Sequence, residues 1–95
     1  MQVTIHRGGD ILGRRVGGRL DTADLPPDRR TRVESALSDT GRLRRAAGAA
    51  APAGAADVPT YELTVPSGSY RISALCGDPD LVAVLDAAVR ETGAR

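Results

Sequence analysis

Between Gln2 and Arg7 apolar and polar side chains alternate, with Val3 and Ile5 on one side and Thr4 and His6 on the other. This two-residue period belongs to a half-buried strand. Gly8-Gly9-Asp10 interrupts it as a hairpin signal, because Gly reaches the positive φ that a tight turn demands. A second strand is expected roughly from Leu12 to Leu20, with Leu12, Val16 and Leu20 in one parity and Arg15 and Arg19 in the other. Gly17-Gly18 weakens it and points to a bulge or a bend. The period then changes. Asp24 is a candidate helix cap, with Pro26 and Pro27 in the first turn, where a missing N–H costs little. Val33, Ala36 and Leu37 share a helical face that Leu25 can reach from below, and Gly41 is a natural stop. Residues 42–59, "RLRRAAGAAAPAGAADVP", read as a flexible Ala/Gly/Pro-rich loop, since Gly48, Pro52, Gly54 and Pro59 interrupt the alanines.

The second half repeats the scheme. Thr60–Val65 alternates with Tyr61, Leu63 and Val65 on one face, Pro66-Ser67-Gly68 is a turn, and Ser69–Leu75 returns with Tyr70, Ile72 and Ala74 in phase. Asp78-Pro79 provides the cap and first-turn proline of a second helix. Leu81, Val84, Leu85 and Ala88 form its apolar stripe, and Gly93 ends it. An isolated hairpin is marginal in water, so two hairpins joined in one sheet with both helices on one face is the economical arrangement. The expected class is α+β: a single domain over 1–95 with a four-stranded antiparallel sheet and two helices, strand-strand-helix repeated twice.

Composition narrows the class of function. Val, Ile and Leu number 20 of 95 residues, Phe and Trp are absent, and the core is therefore thin. Disorder would also require a large net charge, and here the formal balance is +1. All 13 basic residues are Arg, each a permanent charge with a planar donor fork, but Asp and Glu nearly cancel them. No long-range field then draws the chain to nucleic acid or a membrane. Residues 1–15 carry no signal-peptide pattern and no apolar run approaches the length of a membrane span. The lone Cys76 fits a reducing compartment, and the expected location is cytoplasmic.

Reactive constellations are scarce. His6 is the sole histidine and its parity puts it on the outer face, where a solvated imidazole is the plain reading. Cys76 lies just before a helix start, which can lower a thiol pKa, yet a small core-lining or loop thiol is the favoured reading. One His and one Cys cannot furnish a tetrahedral zinc site, and neither Gly pair has the strand–loop–helix setting that cradles phosphate. No enzyme activity and no cofactor are expected. Arg29, Arg30, Arg32, Arg42, Arg44 and Arg45 could form a phosphate-binding patch, but Asp24, Asp28, Glu34 and Asp39 are interleaved with them. Stacking aromatics for single strands are missing.

What remains is shape. Leu12 has core parity, whereas Ile11 has the opposite parity and sits at or beside the turn, either covered by a neighbouring loop or exposed for a partner. Apolar groups on a rigid hairpin tip are suitable anchors for a concave site on another protein. The pattern "VTIHRGGDILGRR" followed by "VGGRLDTADLPP", a short helix, "YELTV" and a terminal amphipathic helix resembles the emfourin family. Its most specific parts are Arg7-Gly8-Gly9 and the stretch from Asp21 to Pro26. The resemblance implies a small cytoplasmic protein inhibitor of a thermolysin-like, protealysin-type zinc metallopeptidase, monomeric when free and without a cofactor, nucleic-acid or membrane partner. It also implies contact through Gly9, Asp10, Ile11 and Leu12 at the first hairpin tip, and through Asp24, Leu25 and Pro26 as a second element. That second stretch also reads as helix-start punctuation, with Leu25 stapling the helix to the core. An Arg-rich nucleic-acid-binding or accessory module is the alternative, and assembly through an open sheet edge is a third.

Overall fold

In the computed structural model, which describes residues 1–8, 15–49 and 58–93, the first alternating stretch is strand β1, Gln2–Gly8. Its partner β2 is Val16–Asp21, and the second hairpin pairs β3, Thr60–Val65, with β4, Gly68–Ser73. All pairings are antiparallel and the sheet order is β2-β1-β3-β4, so β1 and β3 join the two hairpins in the middle. Ile5 lies beside Gly18 and Leu63, and Leu63 beside Tyr70, which places Val3, Ile5, Leu20, Tyr61, Leu63, Val65 and Ile72 on one face. All seven are buried, while their neighbours in sequence are half-buried or exposed. One face is core and the other meets solvent, as the alternation requires.

Three α-helices cover the inner face, one more than the two expected from the sequence: α1 Pro27–Leu37, α2 Thr40–Gly48 and α3 Pro79–Gly93. A 3₁₀ turn, Thr22–Asp24, links β2 to α1. Asp24 therefore does not cap α1. Pro26 forces Leu25 into extended backbone, ψ 152°, so the α-helix cannot begin before Pro27. Gly41 does not stop the chain either. Helix α1 has already ended at Leu37, and Asp39 caps a new helix by accepting the Arg42 N–H at 3.1 Å. Residues 42–48 of the expected loop are consequently helix, with Leu43 and Ala46 buried in the core and α2 packed on β4. An amphipathic face outweighed the low-complexity look of the segment.

Helix α3 lies across β2 and β1, and its start is fastened twice. The Asp78 Oδ1 accepts the Leu81 N–H at 3.1 Å, and Arg42 donates to both carboxylate oxygens, Nε to Oδ2 at 2.6 Å and Nη2 to Oδ1 at 2.8 Å. This bidentate pair ties the beginning of α2 to that of α3. The Arg42 guanidinium, then the Leu81 N–H, hold the Asp78 carboxyl down at about 2, against an ordinary 3.8. Because the folded value is depressed, its stabilisation is complete above about pH 4 and is lost as pH falls toward about 2. The urea midpoint should drop across that window, and drop less in Asp78→Asn, which keeps an acceptor for the cap. Identical acid profiles for the two proteins would show that this carboxylate does not contribute.

Deeper in, the Tyr61 hydroxyl donates to Asp86 Oδ1 at 2.5 Å, and Arg7 Nε lies 3.8 Å from the same oxygen. Burial, then the bond to Asp86, pushes the Tyr61 phenol far above its usual range, so it stays a neutral donor between β3 and α3.

Candidate protein-binding surface

Of the residues expected to contact a partner, Asp24, Leu25 and Pro26 lie at one end of the sheet, and the described residues that flank the others lie at the opposite end. Gly9, Asp10, Ile11 and Leu12 lie outside the described residues, but the strands on either side locate where the chain leaves and returns. Gly8 closes β1 opposite Thr60, and Val16 opens β2 opposite Arg7. Asp24, Leu25 and Pro26 follow β2 at its far end, where Gln2 pairs with Asp21. The six residues of β2 separate these places by about 17 Å.

The far end is built as scaffold. Leu25 is 5% exposed and belongs to the core. The 3₁₀ turn is held by Asp21 Oδ1, which accepts the Ala23 N–H at 3.0 Å, and by the Thr22 N–H donating to the Met1 carbonyl at 3.0 Å. Thr22 is fully buried and its hydroxyl donates to Glu34 Oε2 at 2.7 Å. Arg30 Nη2 donates to the carbonyls of Ala23 and Leu25 at 3.2 and 3.4 Å. Asp24 and Pro26 are the exposed members of this stretch.

The Gly8–Arg15 end differs in character. A Cβ built on Gly8 would meet nothing within 4 Å, so the backbone there is open to approach. Arg15, the first described residue after the hairpin tip, donates from Nη2 to Glu62 Oε2 on the outer face of β3. Arg71 on β4 reaches the other oxygen of Glu62 at 3.6 Å. The stem of the tip is thereby tied across the outer face of the sheet. His6 lies on that same face, half-buried between Gly17 and Glu62.

Two apolar residues that the sequence reading missed lie at this end. Val16 has core parity, yet it is 49% exposed at the start of β2. Leu75, expected inside the return strand, follows β4 and is 52% exposed. They are the exposed large hydrophobics among the described residues. Either alone would be unremarkable. Both lie at this end of the sheet but on its opposite edges, Val16 opening β2 and Leu75 following β4, since Ser73 pairs with Thr60 and Thr60 with Gly8. Parity could not have identified Val16, which shares that of the core residue Leu20, whereas Leu75 has the parity opposite to Ile72 and lies in the turn after β4.

Of the six clustered arginines, Arg29 pairs with Glu91, Arg30 with backbone carbonyls and Arg42 with Asp78. Half of the patch is thus engaged within the fold. Among the described residues no group of three or more His, Cys, Asp or Glu side chains could hold a metal ion.

No curated protein and no solved structure matches the chain. A family model does: the one described as Emfourin matches residues 6–92, which takes in the last part of β1, all of β2, β3 and β4, α1 and α2, and α3 to within one residue of its end. The chain belongs to the Emfourin family.

Proposed function

We propose that this chain is a stoichiometric inhibitor of a thermolysin-like, protealysin-type zinc metallopeptidase, and that it blocks the active-site cleft with the Gly8–Arg15 end of its sheet. The observation that carries the reading is the family match over residues 6–92; membership supports a metallopeptidase-inhibitor role in general. The choice of end draws support from the exposure of Val16 and Leu75 and from the tied stem of the tip.

The mechanism is occupation without reaction. A thermolysin-like cleft offers a zinc-bound water and a hydrophobic pocket for one substrate side chain. In this reading Ile11 or Leu12 fills the pocket, Asp10 approaches the metal or its water, and Gly9 lets the backbone come close. Val16 and Leu75 rest on the apolar surface beside the cleft. The sheet holds the two stems of the tip, so less conformational entropy is lost on binding than a free peptide would lose. Asp24 and Pro26, at the opposite end, contribute through the scaffold or through a separate contact.

Titrating the purified protein into such a peptidase should abolish peptide hydrolysis near a one-to-one ratio, and full activity at large excess would end the reading. The double variant Ile11→Ser, Leu12→Ser should weaken inhibition about tenfold or more with little change in the unfolding midpoint. Undiminished inhibition by that variant would remove the tip from the contact.

A further inference from the structure

On the helical layer a cavity of about 510 Å³ opens between α1 and α3, and none of its lining belongs to the sheet or to the Gly8–Arg15 end. Its floor is apolar, formed by Val33, Val84 and Ala87, and its rim carries Arg29, Arg32 and Arg90 with Glu91. Arg29 is held by Glu91 at 2.5 Å. Neither Arg32 nor Arg90 has an ion pair with another described residue. Arg32 and Val84 also line a second cavity of about 400 Å³, which runs on along the seam to Thr31, Ser35 and Asp80. From Asp80 to Glu91 the seam follows α3 for about 16 Å, enough for roughly five residues of extended peptide.

We infer that the α1–α3 seam is a docking groove for an acidic peptide segment of a protein partner, with a small aliphatic side chain against half-buried Ala87 and the arginine stems and carboxylates on Arg32 and Arg90. Charge decides the occupant. The half of the groove around Arg32 and Arg90 has two unpaired guanidinium groups, whose planar forks suit carboxylates. The other half ends at Asp80 and carries the hydroxyls of Thr31 and Ser35, and its one further arginine, Arg42, is already paired with Asp78. Glu91 is offset by Arg29, but a uniform polyanion such as a nucleic-acid backbone would meet Asp80 unfavourably in the other half, whereas a peptide can present acid to one half and neutral groups to the other. Shape excludes a bilayer, because Val33 and Val84 are only 4% and 5% exposed at the bottom of the groove and no flat surface can reach them.

The test uses the whole protein and a fluorescein-labelled ten-residue peptide alternating Glu with Ala and Leu, read by anisotropy. Saturable binding is expected at low salt, weakening as added salt screens the contact. Arg32→Ala combined with Arg90→Ala should lower affinity about tenfold. Arg19→Ala combined with Arg71→Ala, on the outer face of the sheet, should leave it unchanged. All four side chains are exposed, and matching unfolding midpoints verify that each variant is folded. The proposal is overturned if the Arg32/Arg90 variant binds as the parent does, if the peptide with Gln in place of Glu binds equally, or if no saturable binding occurs. Tighter binding to phosphatidylglycerol vesicles or to single-stranded DNA would likewise overturn it. Peptidase titration is a separate readout, so this inference and the inhibitor reading fail independently.

Discussion

Leu85→Ala is expected to remove about 2–5 kcal/mol of stability, the usual range for a buried Leu truncated to Ala. Leu85 is fully buried on α3, the helix that lies across β2 and β1, and it belongs to the one core cluster between the helices and the sheet. A chain of 95 residues is stable by only about 5–14 kcal/mol, so this single truncation takes a large share. Thermal denaturation should report a fall of roughly 10–30 °C. Leu75→Ala is the matched control. The same chemical change at a half-exposed site should shift stability by no more than about 0.5 kcal/mol, while weakening peptidase binding if Leu75 belongs to the contact. Equal losses in the two variants would contradict the placement of α3 over the sheet.

Gly17→Ala should be the second severe change, for a backbone reason. Gly17 holds φ +134° in β2, opposite His6 of β1. A Cβ there would lie 2.0 Å from the Ile5 carbonyl oxygen and 2.9 Å from the His6 Cα. Those atoms belong to the backbone of an inner strand, which has partners on both sides and cannot retreat. The variant must turn its own backbone away, with loss of ladder contacts, at a cost on the order of 2 kcal/mol or more. Gly18→Ala is the internal comparison: its Cβ would meet only the Thr92 Cβ, at an ordinary 3.8 Å, and should be tolerated. Urea unfolding of both variants checks the contrast, and amide exchange at Leu20 should report the loosened β1–β2 ladder in Gly17→Ala alone. Indistinguishable midpoints would refute it. Because β2 begins at Val16 in the proposed contact, directly after Arg15, the damaged variant should also inhibit less.

The strands were legible in the sequence because burial on one face imposes a period of two. Val3 with Ile5, and Tyr61 with Leu63 and Val65, are buried as their alternation requires. Asp78-Pro79 likewise marked the start of α3, where both the cap bond and the first-turn proline are found. Helix α2 was hidden, because Gly41 and the run of alanines resemble loop composition and only Leu43 and Ala46 carry the apolar face. The Asp39 cap was the overlooked signal. On the candidate surface, the β1–β2 pairing was legible from the strands on either side of Gly8, while residues 9–14 between them lie outside the described residues. Val16 was assigned to the core by its parity, and its exposure depends on where α3 lies.

The sequence by itself determined the α+β class, the two hairpins, the solvent-facing polar side of the sheet and the family, because each is written in local periodicity, turn chemistry or short motifs. Tertiary structure decided the strand order β2-β1-β3-β4, the Arg42–Asp78 fastening and the α1–α3 groove. It also decided that the Gly8 end of β1 and the Asp24–Pro26 connection lie at opposite ends of the sheet. These depend on which distant segments pack together. A pattern that records only whether a side chain is buried carries no information on what it is buried against.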